Sequence, residues 1–313
     1  MRRLIVLIFS LGLIVAIGRF CHRQTDGLAT HKMRKAFEKN TFHPIPSAHH
    51  SKDTELVHTI LQQPLTYIGR GGQCFAFSTP DNNYVVKILK YNNNYPQIWF
   101  QLFPFPFSLE NYRQSVLSKK KKKLEGEYNS YQIAFQELAE ETGLIYSHFD
   151  SGSLTETTKI HIIDKLNIHH KLPADALQFF IQKKGTPLYP EFLRLLNEGK
   201  IEEAQKALDE ISSYLVKRCQ KKITDNDDGI WRNFAFSQGI PFQIDIGQFR
   251  YNPNLISEES FKKDILYFTK DFRNWLEKIS PALAEHFTHS IETNCLNSFH
   301  SSENDFALQI IQN

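Results

Sequence analysis

The residues best suited to chemistry lie in an acidic stretch at positions 224–233. It holds three carboxylates, Asp225, Asp227 and Asp228, and ends in the carboxamide of Asn233. A carboxylate can accept the proton of a substrate hydroxyl, and a carboxamide oxygen can hold a magnesium ion. Acidic turns produce such pairs by chance, so this stretch does not identify a site by itself.

A fourth carboxylate, Asp245, follows in a different setting. It comes directly after an apolar segment at 242–244, and the helix-breaking residue Gly247 follows two positions later. A carboxylate at the end of a strand is placed to bridge a metal ion to phosphates. Asp245 is therefore a second candidate for an oxygen ligand.

A glycine-rich turn and a lysine form a separate pattern nearer the amino terminus. Gly69, Gly71 and Gly72 lie between two strand-like segments, and Lys87 lies on the strand after these. Glycines let the backbone N–H groups approach phosphates, and a lysine can pair with them. Each feature also has a plain structural explanation, because glycine turns are common in hairpins and edge-strand lysines usually face water.

The elements that must position these residues follow from hydrophobic periodicity. Strands are predicted at 65–68, 74–78, 84–89, 144–148, 158–163, 177–181, 233–236 and 241–244. Helices are predicted at 124–142, 190–197, 201–217 and 261–278, and Gly143 ends the first of them. Strands therefore dominate the first part of the domain and helices the second.

In this order and spacing, the motifs resemble the protein kinases, in an atypical, small bacterial-type form, over residues 65–250. Lys87 matches the lysine of the kinase Val-Ala-Ile-Lys strand, Asp228 and Asn233 keep the catalytic-loop interval, and Asp245 begins an Asp-Ile-Gly similar to the metal-binding Asp-Phe-Gly. The resemblance implies an α+β, two-lobed protein-kinase-like fold. An antiparallel-sheet amino-terminal lobe and a reduced, mainly helical carboxy-terminal lobe would follow an N-terminal hydrophobic helix.

The resemblance also implies that ATP and Mg²⁺ are the cofactors. Asn233 and Asp245 would bind the magnesium ion, and Lys87 would hold the phosphates and take part in catalysis. The glycines that would cover the phosphates are Gly69, Gly71 and Gly72.

Two further nucleotide contacts are implied. Glu127 is our choice for the helix carboxylate that pairs with Lys87, with Glu125 and Glu137 as alternatives and an exposed helix carboxylate as the plain reading. The segment Gln182-Lys183-Lys184 would be the hinge that binds adenine.

The departures from the kinase pattern concern the catalytic aspartate and its surroundings. No His-Arg pair precedes it, and Asn226 stands where sugar and antibiotic kinases have histidine. Asp228 ranks first by its interval, followed by Asp225 and then Asp227. No Ala-Pro-Glu follows Gly247, so we expect no regulation by activation-loop phosphorylation.

Composition bounds the partners and the compartment. The formal net charge of +3 over 313 residues is small, so nucleic acid is not an expected partner. The four cysteines are far apart in the sequence and show no zinc-ligand spacing, which favours free thiols and a reducing compartment.

The amino terminus predicts a membrane segment. Arg2 and Arg3 precede an apolar run at 4–18, which is about 22 Å long as a helix against roughly 30 Å of hydrocarbon. We expect an uncleaved single-pass anchor rather than a signal peptide. Positive charges at 19–39 outnumber those before the run and predict that the kinase-like domain is cytoplasmic.

The predicted organisation has four parts. Residues 1–23 are the anchor or signal segment, 24–52 a linker, 53–181 the amino-terminal lobe and 182–313 the carboxy-terminal lobe. The amino-terminal lobe carries an aromatic and lysine-rich insertion at 91–123, either a membrane-surface contact or a core insertion followed by a solvated helix start.

Three functions are compatible with these features. The leading hypothesis is a membrane-tethered, ATP-dependent phosphotransferase acting on a hydroxyl of an unknown protein or small molecule. The alternative is a pseudokinase-like scaffold that binds a nucleotide or a partner without turnover. The third is a tethered interaction protein with no nucleotide site.

Overall fold

The chain folds into two compact units of helices and strands. The computed structural model describes residues 2–34, 48–49, 54–90, 107–149, 158–227 and 229–311. Unit 1 comprises Met1–Leu124 and Ile145–Gln182, and unit 2 comprises Glu125–Leu144 and Lys183–Asn313. Unit 2 therefore takes one segment from within the sequence of unit 1.

Unit 1 is built on a sheet of eight strands in the order β1-β5-β8-β4-β3-β2-β6-β7. The strands are β1 Ala48–His49, β2 Leu65–Arg70, β3 Cys74–Ser78, β4 Tyr84–Leu89, β5 Leu144–His148, β6 Lys159–Ile163, β7 His169–Pro173 and β8 Phe179–Lys183. β2, β3 and β4 pair antiparallel, and the β2–β3 register shifts between Tyr67 and Gly69. The three strands predicted around the glycine turn are confirmed.

One pair in this sheet runs parallel. β2 pairs with β6, with Leu65 opposite Ile162 and Thr66 opposite Ile163. The expectation of an antiparallel sheet is wrong for this pair, because the long stretch between β2 and β6 provides the crossover that parallel neighbours require. β7, which pairs antiparallel with β6, was not predicted because Leu172 is its one strongly apolar residue apart from Pro173.

The core of unit 1 lies between this sheet and a short helix, α3, Thr54–Gln62. The helix buries Val57, Ile60 and Leu61, which share one face at spacings of three and four. Phe75 and Phe77 of β3 belong to the same buried cluster. Burial of each aromatic side chain contributes roughly 1.5–3 kcal/mol, so these two residues stabilise the hairpin that carries the glycine turn.

The amino-terminal run forms helix α1, Arg2–Gln24, followed by a single turn, α2, Thr30–Met33. Within the described part of the chain, no helix is long and apolar enough to cross a membrane. The expected single-pass span over residues 4–18 is therefore not supported. The physical reason is length, since a 15-residue apolar run falls short of the hydrocarbon thickness.

Helix α4, Phe107–Glu137, starts earlier and ends earlier than predicted. It includes positions 107–123 of the expected insertion, whose lysine run continues the helix; positions 91–106 lie outside the described residues. The helix ends before Leu138, and Gly143 adopts a positive φ of 59° shortly afterwards. Glycine tolerates this backbone conformation at little cost, which explains the chain reversal into β5.

Unit 2 is mainly helical. Its helices after α4 are α5 Leu188–Asn197, α6 Ile201–Gln220, α7 Ile230–Asn233, α8 Glu258–Phe268, α9 Lys270–Ile279 and α10 Pro281–Ile311. Two small sheets accompany them, one with the strand order β12-β11-β9 and the other pairing β10 with β13. These strands are β9 Thr186–Pro187, β10 Ile223–Asp225, β11 Phe234–Ser237, β12 Ile240–Gln243 and β13 Phe249–Tyr251.

The helix predicted at 261–278 is two helices, α8 and α9. Ser257 caps the first, accepting a hydrogen bond from the Ser260 backbone N–H. Thr269 separates them; it is buried and its hydroxyl donates to the Ile265 carbonyl oxygen at 2.7 Å. Such back-bonding bends helices, and the apolar period continues across the junction, so the sequence pattern does not show the break.

The core of unit 2 is rich in phenylalanine. Phe192 of α5, Phe234 of β11 and Phe272 of α9 are fully buried in one cluster with α6 and α10. Phe192 and Phe272 meet edge to face, with ring centroids 5.4 Å apart. The cluster also includes Ile230 of α7, so it holds the end of the acidic stretch where α7 leads into β11.

Candidate functional site

Asp225 is the innermost member of the acidic stretch. It ends β10, which pairs with β13, and only 7% of its surface is exposed. Its Oδ1 accepts a hydrogen bond from the Asp227 backbone N–H at 2.9 Å, and its Oδ2 accepts one from Gln243 Nε2 at 2.5 Å. Both carboxylate oxygens of Asp225 are therefore used in hydrogen bonds that hold the acidic stretch in place.

Burial raises the pKa of Asp225 to about 6, and the Arg218 guanidinium partly opposes that rise. A carboxyl group in this range can act as a general base near neutral pH. The hydrogen bonds to both oxygens and the low exposure argue for a role inside the loop instead.

Asp227 has a different setting from Asp225. Asp227 is half-buried; its Oδ1 accepts from the Gly229 backbone N–H at 3.0 Å and lies 3.7 Å from Arg232 Nη2. Asp228, ranked first by its interval, lies outside the described residues. Asp225 and Asp227 are thus not equivalent, and the rank of Asp228 stays a prediction.

Asn233 presents an oxygen with no donor among the described residues. The side chain is fully buried, its Nδ2 lies 3.4 Å from the Asp227 carbonyl oxygen, and its Oδ1 is buried without a hydrogen bond. The Asp227 carbonyl fixes the orientation of the amide, because the reverse orientation would place two acceptors together. A buried acceptor in this state calls for an external cationic or donor partner.

Asp245 lies beside Asn233 through the main chain. The Ile244 backbone N–H donates to the Asn233 carbonyl oxygen at 2.6 Å, and the Asp245 backbone nitrogen lies 3.5 Å from it. The Asp245 side chain is exposed, and its Oδ1 accepts from the Gly247 backbone N–H at 3.1 Å. The carboxylate of Asp245 could also offer its Oδ2 to a metal ion.

These two residues fit the ligand set that Mg²⁺ takes in nucleotide sites. Magnesium there uses one or two protein oxygens and completes its shell with waters and phosphates. No cluster of three or more His, Cys, Asp or Glu side chains suited to a metal ion occurs among the residues that the structure describes. An Asn–Asp pair would therefore need the nucleotide to complete the site.

Sequence reasoning missed the polar side chains that hold this loop. The Ser130 hydroxyl of α4 donates to the Ile246 carbonyl oxygen at 2.5 Å and accepts from the Phe249 backbone N–H at 2.6 Å. Gln243 and Arg218 are fully buried beneath Asp225. A serine in a helix and an arginine in an amphipathic one carry no signal of such roles, since both residues are common there.

In unit 1, the glycine turn is held by a lysine that the sequence did not single out. Gly71 N–H donates to the Cys74 carbonyl oxygen at 3.0 Å, and the Gly71 carbonyl accepts from Lys90 Nζ at 2.5 Å. Lys90 is 6% exposed, with its Nζ 4.6 Å from the Phe75 ring centroid. Burial lowers the pKa of Lys90.

Lys87 lies three residues earlier on β4 and is half-buried. Its Nζ lies 5.6 Å from the Phe180 ring centroid, and Ala76 is its register partner on β3. Lys87 and the glycines Gly69, Gly71 and Gly72 therefore share the β2–β3–β4 sheet of unit 1, and their contact with phosphates stays a prediction.

The remaining predicted residues belong mostly to unit 2. Glu127 is buried whereas Glu125 is exposed and Glu137 is half-buried, so burial favours Glu127 among the three carboxylates. Its pairing with Lys87 of unit 1 stays a prediction. Gln182, Lys183 and Lys184 span the division between the units; Gln182 is buried, and the Lys183 backbone N–H donates to the Gly143 carbonyl oxygen at 2.8 Å.

Comparison with known proteins gives a distant structural likeness. No family model and no curated protein matches the chain. A crystal structure of WbdD matches with a TM-score of 0.36 and 13% identity, covering 74% of this chain and 46% of WbdD. A structure described as the bifunctional kinase-methyltransferase WbdD matches with a TM-score of 0.33 and 12% identity, covering 84% and 49%. The chain spans about half the length of these proteins.

Proposed function

We propose that this chain is an ATP-dependent phosphotransferase acting on a hydroxyl group. The observation that carries the proposal is the buried Asn233 Oδ1, which has no donor among the described residues. The main-chain carbonyl of Asn233 contacts the backbone nitrogen of Asp245, the residue that follows the apolar strand. A buried acceptor without a donor is costly unless a ligand uses it. Magnesium carrying a nucleotide is a ligand of the right chemistry.

Each group of residues has a separate task in this proposal. Asn233 and Asp245 would hold the magnesium ion, which neutralises the charge of the phosphates when bound. The glycine turn and Lys87 would hold the phosphates. Asp228 would accept the proton of the acceptor hydroxyl. Catalysis of this type depends on positioning and charge more than on covalent chemistry.

The test is thermal unfolding of the full chain with ATP, in excess Mg²⁺ and in excess chelator. Nucleotide at a hundred times its dissociation constant should stabilise the fold by about 2.7 kcal/mol in excess magnesium, and the same concentration should stabilise it less in chelator. Asn233→Ala should remove the magnesium-dependent part. Asn294→Ala is the matched control, since its amide donates to the Ser212 hydroxyl elsewhere in unit 2.

Three outcomes are informative. An absent magnesium-dependent shift in the wild type overturns the proposal. A shift accompanied by release of ADP supports it. A shift without any turnover, even in the presence of varied alcohols, favours the nucleotide-binding scaffold instead.

A further inference from the structure

Gln243, the last residue of β12, is fully buried and has partners on both sides of its amide. Its Oε1 accepts a hydrogen bond from the Tyr214 hydroxyl at 2.7 Å and one from Arg218 Nη1 at 3.4 Å. Its Nε2 donates to Asp225 Oδ2 at 2.5 Å and to the Asp245 carbonyl oxygen at 3.2 Å. Donors on one side and acceptors on the other fix the direction of the amide.

The guanidinium group of Arg218, which donates to this amide, is held by contacts between helices of unit 2. Arg218 is fully buried, with its guanidinium carbon 4.5 Å from the Phe268 ring centroid and its Nη2 3.7 Å from Asp264 Oδ2. Asp264 Oδ1 accepts from the Thr224 hydroxyl at 2.6 Å. Thr224 directly precedes Asp225, so these polar side chains form a closed network. A shift of one side chain would weaken the hydrogen bonds of the others.

We infer that Gln243 is a positioning residue that fixes the main chain of Asp245 relative to the acidic loop. The inference rests on the proposed function. Within the described residues, the backbone N–H of Asp245 makes only a long contact of 3.5 Å with the Asn233 carbonyl oxygen. The Asp245 carbonyl oxygen accepts a hydrogen bond from the Gln243 side chain. The next carbonyl oxygen, that of Ile246, accepts one from the Ser130 hydroxyl.

The chemistry of this position requires an amide. The side chain must accept from Tyr214 and Arg218 and also donate to a carboxylate and a carbonyl. Glutamate has no donor when ionised, and methionine has neither function at a similar volume. The two substitutions therefore remove the donor side alone, or both sides.

The experiment measures the Mg²⁺ concentration that half-saturates ATP binding, by calorimetry on the full chain, for wild type, Gln243→Met and Gln243→Glu. Loss of the donor side should raise that concentration about tenfold. The affinity for ATP in chelator should stay within about twofold, because the phosphate-binding residues lie in unit 1. Phe287→Leu is the control for destabilisation, since Phe287 is fully buried in unit 2 and outside the network.

The outcomes separate this inference from the proposed function. A wild type without magnesium-dependent ATP binding overturns the proposed function itself. A wild type that binds, together with Gln243 variants of unchanged magnesium dependence, overturns the positioning role alone. An equal rise in Phe287→Leu assigns the effect to stability and also overturns it. If neither Gln243 variant folds, Gln243 is a core residue and the inference fails.

Discussion

The glycine turn of unit 1 and the acidic loop of unit 2, which comprises the acidic stretch at 224–233 and the turn after Asp245, are held in different ways. The turn is fixed by neighbours along the chain: Gly71 bonds to Cys74, three residues later, and to Lys90, nineteen residues later. The acidic stretch and the turn after Asp245 are fixed by residues distant in the sequence. Gln243 donates to Asp225, and Ser130 accepts from Phe249, which lies 119 residues later.

This difference decides how each region should respond to substitution. A local turn of few contacts can adjust when one contact is lost, because little else depends on it. A buried polar network with long-range partners loses more, since each deletion leaves another polar group without its partner. We therefore expect the acidic loop to be the more sensitive region in both function and stability.

The largest expected effect comes from Asp245→Asn. The change is nearly isosteric and removes one negative charge, so magnesium-dependent phosphotransfer should fall by about a hundredfold or more while the fold persists. Calorimetry of Mg-ATP binding and metal-free melting of both proteins measure the two sides of this claim.

Asp271→Asn is the matched control, since it makes the same charge change at an exposed position on α9. If Asp245→Asn binds and turns over Mg-ATP like the wild type, Asp245 is not a metal ligand. A drop in metal-free stability with unchanged magnesium affinity would make it a structural residue.

The second effect is a pH dependence of stability from Asp225. Burial raises its pKa from the ordinary value of 3.8 to about 6, so the folded state binds the proton more tightly than the unfolded state. This contribution is full below pH 3.8 and is lost as the pH rises through 6. Between pH 4.5 and 7 it should decrease by about 2 kcal/mol.

Comparison with Asp225→Asn isolates this effect. The variant loses hydrogen bonds at every pH, but that constant penalty cancels when the stability difference at pH 4.5 is compared with that at pH 7. Urea unfolding should show that the free energy of unfolding of the variant increases relative to that of the wild type as the pH rises. A stability difference that does not change with pH would mean that folding does not raise the pKa of Asp225.

The smallest expected effect lies in the glycine turn. Lys90→Met should weaken ATP binding only about threefold, because the turn loses one hydrogen bond, and should change stability little, because a buried charge is removed together with its partner contact. Lys87→Met is the matched variant, with the same chemical change three residues earlier.

Lys87→Met should weaken ATP binding about tenfold, since Lys87 is the proposed phosphate contact. Fluorescence titration with a labelled ATP analogue gives the two affinities side by side. A larger loss in Lys90→Met than in Lys87→Met would reverse the two roles and make Lys90 the lysine that binds the phosphates.

The same contrast explains what the sequence could predict. The hairpin around the glycine turn and β4 follow from alternation and turn residues, which are local signals, and they are confirmed. The parallel pairing of β2 with β6 depends on tertiary contacts, and the sequence did not predict it. The division of the predicted 261–278 helix at Thr269 was also missed, because the apolar period continues across the hydrogen bond from the Thr269 hydroxyl to Ile265.

For the candidate site, the sequence indicated the groups but not their surroundings. The interval between Asp228 and Asn233 and the Asp-Ile-Gly at Asp245 are readable as residue types. The burial of Asp225, the direction of the Gln243 amide and the hydrogen bonds of Ser130 are set by packing between segments that the chain brings together from afar. Residue type alone carries no record of such contacts.

The two hydrogen bonds of Ser130 also set an order of events during synthesis. Its partners, Ile246 and Phe249, lie 116 and 119 residues further along the chain. At 5–20 residues per second, a ribosome delivers them roughly 6 to 24 s after Ser130. The strands of the glycine turn are complete well before that time. The part of α4 that belongs to unit 2 therefore cannot form these two hydrogen bonds until that time.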